Sequence, residues 1–417
     1  MTNLVLIAVA ALLVTATLCY LFLKRVTYSL LDPVLVLSVF IAFSAPLFAV
    51  LCATDLVPWS KFALFVVVLL GYLAGARTAG RKFNRIDFRK RLVDSTADFT
   101  RSEIQAILVV AIAFTVLLAG LGMLFGAAGD ARQQFGRTFR PLILIHQGLF
   151  LLSLVLLLSR KFSFSRAMVW VMATALLAIP FSGKSVLLPV LYWTGLRLFV
   201  SERRVTLRTI TISAATVVGG VGLMGVLAYG RATLTGVFLL LGYRLWLSGD
   251  TYIYAYQLHG LAGLRGHYDV SFIPYMLHPI TALFGVRAYE RPLGAALASQ
   301  TRGMDVLTGP NPYLPVLLDF FFPESILAAA VVAFIIGYLV LGLRPLAIAL
   351  QKYRARFLRL GALVIAVFAP AMGYLDTSQV LITLIGIAGI AGAGMLMDFL
   401  VRGSLATIER RPDSSGV

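Results

Sequence analysis

The chain has 417 residues, of which 60% are hydrophobic and 13% are charged, and its mean hydropathy is +0.92. A soluble domain of this length could not keep so much apolar surface from water, so the composition predicts helices that span a bilayer. The formal net charge is +18, but the basic residues form short clusters between apolar segments, as membrane topology requires. We therefore expect membrane lipids, and no nucleic acid, among the partners.

Apolar segments recur from one end of the chain to the other and predict about eleven transmembrane helices. The sixth and seventh are short and nearly contiguous, so a re-entrant pair is the alternative there. No basic residue precedes the first segment, whereas Lys24 and Arg25 follow it, which favours a retained helix over a cleaved signal peptide. The predicted segments are 4–23, 33–53, 61–76, 104–128, 141–159, 167–181, 184–200, 209–229, 325–343, 360–375 and 380–400.

Clusters of Lys and Arg predict the orientation of this bundle. The largest lies at 77–103, and others follow at 160–166, 203–208, 344–359 and 402–411. With about eleven spans, all of these clusters fall on one side, which the positive-inside rule makes the cytoplasmic side. The predicted fold class is thus an all-α polytopic transmembrane helix bundle with its N-terminus outside and its C-terminus inside.

A long extracytoplasmic loop is predicted between the eighth and ninth spans, because that segment is too polar and too rich in Pro and Gly to cross a membrane. Its apolar pieces, 236–247 and 313–322, are predicted to be amphipathic helices in the interface. The predicted regions are N-terminal transmembrane helices 1–229, the loop 230–324, C-terminal transmembrane helices 325–401 and a cytoplasmic tail 402–417.

Basic residues are unexpectedly frequent on the predicted outer side, and nearly all of them are Arg. Because the Arg side chain grips phosphate bidentately, this set indicates an anionic ligand at the outer face. The alternative is that these residues pair with nearby acids or with lipid headgroups. They are Arg132, Arg137, Arg140, Lys184, Arg231, Arg244, Arg265, Arg287, Arg291 and Arg302.

The start of the loop combines aromatic rings with charges. Tyr252 and Tyr256 follow Arg244 and Asp250, and rings beside carboxylates and Arg suit a carbohydrate. An interfacial aromatic belt is the alternative for the tyrosines. A carboxylate just beyond a span is costly near a membrane unless it is paired or used, so Asp250 is the strongest candidate.

Three of the four histidines, His259, His267 and His278, lie in the same loop. Their spacing does not match a metal site, and the chain has no Asp-x-Asp sequence. We therefore predict neither a metal nor a cofactor, and we keep His267 with its neighbour Asp269 as candidate catalytic groups.

Three groups of residues follow one another between positions 180 and 345. They are Ser182-Gly183-Lys184-Ser185 at a span start, Arg244 with Gly249-Asp250 at the start of the loop, and Gly309-Pro310-Asn311-Pro312 near its end. In this order and architecture the chain resembles the Wzy-type O-antigen and exopolysaccharide repeat-unit polymerases. The N-terminal third resembles that family in hydropathy alone.

The resemblance implies a fold similar to multi-spanning glycosyltransferases of the C type, in a bacterial plasma (inner) membrane with the active site facing the periplasm or exterior. The implied substrates are oligosaccharide repeats on undecaprenyl diphosphate. The implied reaction transfers a growing glycan from its lipid diphosphate to an incoming lipid-linked repeat. A chain-length regulator and a flippase are the implied protein partners.

The candidate residues can carry out this chemistry. Arg stabilises the negative charge that develops on a leaving diphosphate, and a carboxylate or His accepts the proton of the attacking hydroxyl. We expect the catalytic residues to be Asp250, Arg244, His267 and Asp269, with Asp250 as base or substrate orienter. We expect the substrate-binding residues to be Arg231, Arg137, Arg140, Lys184, Tyr252, Tyr256, Arg287 and Arg291.

Two other functions fit the same architecture. An O-antigen ligase would transfer the glycan to a lipid A core instead of another repeat. A non-enzymatic transporter or flippase usually has repeated halves and ionisable residues near the membrane midplane. This sequence shows no internal repeat, and its ionisable outer residues gather in one loop.

Overall fold

The computed structural model describes residues 2–29, 31–125, 134–135, 138–182, 187–202, 211, 235, 249–265, 268–303, 310, 312–372 and 377–402. Every regular element within these ranges is helical, so the predicted all-α class is confirmed. A π-helical turn, Ile253–Gln257, continues α9, and a 3-10 turn, Ala282–Phe284, follows α11. The helices are α1 (Thr2–Leu23), α2 (Pro33–Ala53), α3 (Trp59–Gly80), α4 (Arg85–Ala97), α5 (Arg101–Phe125), α6 (Arg140–Leu156), α7 (Phe164–Ser182), α8 (Leu187–Val200), α9 (Asp250–Tyr252), α10 (Gly260–Leu264), α11 (Phe272–Thr281), α12 (Leu293–Arg302), α13 (Leu314–Phe321), α14 (Ile326–Leu350), α15 (Arg356–Met372) and α16 (Thr377–Arg402).

Helices coincide with all the predicted spans except 209–229, which lies almost wholly outside the described residues. Five helices are long and apolar enough to cross a membrane, and α6, α7, α8 and α16 contain shorter apolar stretches. The chain is thus of the helical membrane type, while the count of about eleven spans and the orientation stay predictions. The five long stretches are Asn3–Leu23, Pro33–Ala53, Trp59–Gly80, Arg101–Leu124 and Ile326–Leu350.

The closest helix pair is α3 with α14, and the two run parallel. A Cβ atom on Gly71 would lie 2.7 Å from the carbonyl oxygen of Ala330. One on Gly75 would overlap the carbonyl of Phe334, and one on Gly337 would overlap that of Tyr72. Small residues four apart let helix backbones approach, which is how membrane helices associate without a hydrophobic driving force. This pairing places the starts of α3 and α14 at the same end of the molecule.

The opposite end, which we call the basic end, is formed by residues 24–29, 31–32, 81–103, 157–163, 197–202 and 344–359. Arg89 makes an ion pair of 2.9 Å with Glu202, and Ser95 donates a hydrogen bond of 2.7 Å to Gln351. Lys161 donates to the carbonyl oxygen of Ala97 at 3.1 Å. Described basic clusters that were predicted to share one side therefore contact one another.

Two segments differ from their sequence predictions. Residues 85–97 were expected to be a loop but form α4, which begins at the side-chain cap of Asn84 and buries Phe88 and Leu92. The predicted interfacial piece 313–322 is helical, as α13, but residues 314–320 are all buried. This helix packs within the bundle because it lies against α3 and α14, so it has no wide face for the interface. The other predicted piece, 236–247, lies outside the described residues.

Candidate functional site

A cluster of charged residues lies where α3 and α14 begin, and we call this the loop end. The carboxylate of Asp319, on α13, is 2% exposed and accepts hydrogen bonds of 2.9 Å at both oxygens from Lys61. Arg265 lies 3.5 Å from the same carboxylate and donates at 2.8 Å to the backbone oxygen of Asp319. One buried negative charge therefore holds two partly exposed positive charges, which leaves a net positive site.

Stacked aromatic rings pack beside this cluster of charged residues. Tyr252 stacks on Phe48 at a centroid distance of 4.0 Å, and Tyr256 stacks on the same ring at 5.6 Å. The rings of Tyr252, at the end of α9, and Tyr256, in the π-helical turn, are parallel to each other, and Lys61 lies 5.6 Å from the ring of Tyr256. Burial and the nearby Asp319 carboxylate raise the pKa of Tyr256 well above its usual value, so this phenol stays protonated.

The turn at His259 and Gly260, after the π-helical turn, leads to α10 and Arg265. His259 adopts φ 54°, in the left-handed region that side-chain-bearing residues seldom occupy. A Cβ on the next residue, Gly260, would overlap the carbonyl oxygen of Tyr254. The short helix α10 then ends at Leu264, directly before Arg265, so this strained turn fixes the position of the guanidinium.

An apolar cavity of about 880 Å³ begins at Arg265 and extends along the membrane-type helix α14. Ile335 and Leu339, two of its lining residues on α14, are 47% and 62% exposed, so the cavity adjoins the outer surface of the bundle. Phe272, Ile273 and Met276 of α11 also line it, as do residues 320–322. Its apolar lining suits a hydrocarbon chain, and Arg265 suits an anionic group at one end of that chain.

A second cavity, of about 760 Å³, is polar and borders the first. Asp269, Glu290 and Arg291 line it, together with Ser299 and Gln300. Tyr268 and Tyr289 contribute aromatic rings whose centroids are 6.4 Å apart. Rings, carboxylates and amide groups in one cavity are the usual means of binding a carbohydrate.

Tyr268 and Val270 line both cavities, so the two share a wall. The hydroxyl of Tyr268 donates a hydrogen bond of 2.6 Å to the carbonyl oxygen of Arg291, which fixes the ring between them. Leu264 lines the polar cavity and Arg265 the apolar one. The site therefore runs from an apolar cavity, past a cation, into a polar cavity that contains two carboxylates.

Two of the predicted site residues, Asp269 and Arg291, come together in the polar cavity. Tyr252 and Tyr256, predicted to bind substrate, are buried in the core at 0% and 9% exposure, where they pack on Phe48. Asp250 starts α9 and is half-buried, and it does not line either cavity. Their predicted roles in binding and catalysis stay predictions.

Arg140 and Arg287, also predicted to bind substrate, lie near His278. This histidine is buried, and its ring stacks on Tyr289 at a centroid distance of 3.8 Å. Burial and the charges of these two arginines lower the pKa of His278 below its ordinary value. This histidine borders the wall of the polar cavity through Tyr289 and Ala288, whose backbone N–H donates to Nδ1 at 3.2 Å.

The remaining predicted residues, Arg231, Arg244, His267, Arg137 and Lys184, lie outside the described residues. Within the described ranges, no three His, Cys, Asp or Glu side chains are grouped so as to hold a metal ion. The absence of a metal from the function stays a prediction.

Sequence reasoning missed Lys61 and Asp319 as members of the site and named Arg265 only as one of the outer basic residues that indicate an anionic ligand. A signal was present, because Asp319 interrupts the apolar run from Leu317 to Phe322. A carboxylate in such a run requires a cation nearby. The sequence does not say which cation, since Lys61 is separated from Asp319 by 258 positions.

Comparisons of the chain with protein-family models, with curated proteins and with solved structures found no match. The fold and site thus define a class, a helical membrane-type protein with adjoining apolar and polar cavities at one end. The resemblance to Wzy-type polymerases stays a prediction.

Proposed function

We propose that the protein is a glycosyltransferase that joins oligosaccharide repeats carried on undecaprenyl diphosphate, at the outer face of a bacterial plasma membrane. The observation that carries this proposal is the shared wall of the two cavities, with Arg265 beside it. A lipid-linked oligosaccharide has the same order of parts: a hydrocarbon chain, an anionic diphosphate and a polyhydroxylated glycan.

The apolar cavity supports binding of the hydrocarbon chain, because its α14 lining continues onto exposed apolar surface. A chain in this position would reach the site from the lipid bilayer without crossing water. Arg265 would contact the diphosphate at the end of the chain, and Lys61 would add a second positive charge through their common partner Asp319.

The polar cavity supports glycan binding and proton transfer. Tyr268 and Tyr289 offer ring faces for sugar C–H groups, while Arg291 and Gln300 offer hydrogen-bond donors. Asp269, already a candidate on sequence grounds, is exposed to this cavity, and Glu290 is a second carboxylate there. Either would serve as the base for an acceptor hydroxyl.

In the proposed reaction, the acceptor oxygen attacks the anomeric carbon of the donor glycan while the bond from that carbon to the diphosphate oxygen breaks. The hydroxyl proton passes to the carboxylate, and undecaprenyl diphosphate leaves with the electron pair of the broken bond. Arg265 and Lys61 stabilise the charge that develops on the diphosphate. The residues predicted from sequence outside the described ranges, Arg231, Arg244 and His267, would act on the same substrate from the preceding and adjoining segments.

The decisive experiment incubates the purified full chain with undecaprenyl-diphosphate-linked repeats as the only glycan and analyses products by mass spectrometry. We expect lipid-linked products of two or more repeats.

Arg265→Gln should reduce the rate about 100-fold, the size of effect typical for losing one charge-stabilising donor. Asp269→Asn should reduce it at least as much if Asp269 is the base. Asp55→Asn is the matched control, because Asp55 is exposed at the same end and lines neither cavity.

Each outcome has a distinct meaning. Binding of the substrate by wild-type protein without any new glycosidic bond would contradict the proposal and favour a carrier or flippase. Transfer that occurs when a lipid A core is added, but never between repeats, would favour a ligase. Wild-type rates in Asp269→Asn would remove that residue from catalysis and leave Glu290 as the base to test.

A further inference from the structure

A third cavity lies at the basic end, far from the two cavities of the candidate site. It has a volume of about 950 Å³ and lies between the α1–α2 turn and the start of α4. Leu35, near the start of α2, lines it, whereas Phe48, near the end of α2, contacts Tyr252 at the loop end. A helix of this length spans about 30 Å, the thickness of the hydrocarbon core of a bilayer.

Three cations line this cavity, Lys24, Arg25 and Arg85, and no carboxylate does. None of the three makes an ion pair with an acid of the described residues. The carboxylate of the same turn, Asp32, is fully buried and is bound by Arg344 at 2.7 Å. The positive charge of the cavity is therefore not neutralised by Asp32.

Two further features give the cavity the character of a binding site. Ser29 lines the cavity, and its buried Oγ atom has no hydrogen-bond partner among the described residues. Arg85 donates to the backbone oxygen of Lys24, and this hydrogen bond joins the start of α4 to the α1–α2 turn beside the cavity.

The apolar part of the cavity is continuous with an exposed face of α1. Tyr20 lines the cavity and is 50% exposed, and Leu13 and Val14, two turns earlier, are each 60% exposed. Only 11% of the apolar stretch of α1 is buried against the rest of the bundle. Hydrocarbon chains that begin in the cavity would therefore lie along α1.

We propose that this cavity binds one anionic glycerophospholipid, with its phosphate at Lys24, Arg25 and Arg85 and its acyl chains along α1. Basic pockets between helices at a membrane surface are suited to anionic headgroups because each cation adds to the attraction. This site is separate from the proposed transferase site, because it lies at the opposite end of the molecule. Its lining also lacks the carboxylates and the pair of facing tyrosine rings of the polar cavity.

The test uses the full chain in uncharged detergent micelles and measures equilibrium binding of phosphatidylglycerol. Phosphatidylcholine tests the need for net negative charge, and inorganic phosphate tests the need for the lipid. Lys24→Gln/Arg25→Gln removes two cavity charges whose side chains make no described ion pair. Lys90→Gln/Arg91→Gln is the matched control, because it removes the same charge from exposed positions of α4 outside the cavity.

We expect the cavity variant to bind phosphatidylglycerol about 30-fold more weakly than wild type and the control less than about threefold more weakly. Lys24→Gln and Arg25→Gln alone should each weaken binding about fivefold, and unchanged unfolding midpoints without lipid would show that they are folded. Equal binding by wild type and the cavity variants would overturn the proposal. An equal loss in the control, or equally tight binding of phosphatidylcholine or inorganic phosphate, would also overturn it.

Discussion

The two ends of the molecule use arginine in different ways. At the basic end, Arg344 is fully buried and binds Asp32, and Arg356 bridges Glu103 at 2.8 Å and Asp398 at 2.5 Å. At the loop end, Arg265 shares a single carboxylate, Asp319, with Lys61 and borders a cavity. An arginine at a helix end thus joins helices where enough carboxylates lie nearby to pair with every cation. Where cations outnumber carboxylates, the arginine is available to a ligand.

This difference corrects a simple interpretation of the charge pattern. An excess of outer arginines was the sequence feature that indicated an anionic ligand, but abundance alone does not distinguish pairing from binding. Arg359 beside Asp98 and Arg89 beside Glu202 make ion pairs. Lys24 and Arg25, in the same region, line a cavity without acids. The local ratio of cations to carboxylates therefore predicts binding of an anionic ligand better than the side of the membrane on which the cations lie.

The largest expected effect comes from breaking the buried pair at the basic end. Arg344→Met leaves Asp32 buried without its cation and removes donors to Val26 and Ala366. Removing one partner of a buried ion pair costs about 3–5 kcal/mol, because the other charge stays in the low-dielectric interior. We expect a matching decrease in the free energy of unfolding, measured by denaturation in micelles. Lys352→Gln, at an exposed position of the same segment, should change it by less than about 0.5 kcal/mol; an equal effect in both variants would contradict the comparison.

A smaller effect is expected at the loop end for Asp319→Asn. Lys61 and Arg265 are 28% and 36% exposed, so water compensates part of the loss, and we expect about 1–3 kcal/mol of destabilisation. If Asp319 positions Arg265 for the diphosphate, the variant should raise KM for the lipid-linked substrate more than it lowers kcat. Glu324→Gln, at an exposed acid nearby, is the control. Unchanged KM and kcat in a folded Asp319→Asn variant would show that the cluster is structural only.

The long helices were predictable because each is a single apolar run whose length is set by the bilayer, and α2 has the predicted bounds. Helix α4 was missed because its composition is polar, although Asn84 before a Phe88–Leu92 pair is a capped amphipathic start. The cavities were not predictable in the same way. Lys61 meets Asp319, and Tyr268 meets Arg291, through tertiary contacts that no local spacing records.

The smallest expected effect tests whether burial and the positive charge nearby lower the pKa of His278 at the loop end. Burial and the charges of Arg140 and Arg287 lower the pKa of His278 in the folded protein, whereas the unfolded chain takes up this proton near pH 6.5. The contribution of His278 to stability is therefore complete above about pH 6.5. It is lost as the pH falls from that value towards the lowered pKa, because the unfolded state then binds the extra proton.

We expect the unfolding midpoint of wild type to fall more steeply between pH 7.5 and 5.5 than that of His278→Asn, by about 2 °C or less. The asparagine cannot titrate but can still accept the N–H of Ala288, so the loss of stacking on Tyr289 changes the midpoint at every pH and leaves the slope as the measure. Equal slopes would mean that the pKa of His278 is not lowered in the folded protein, which would contradict the burial and the positive charge described around this side chain.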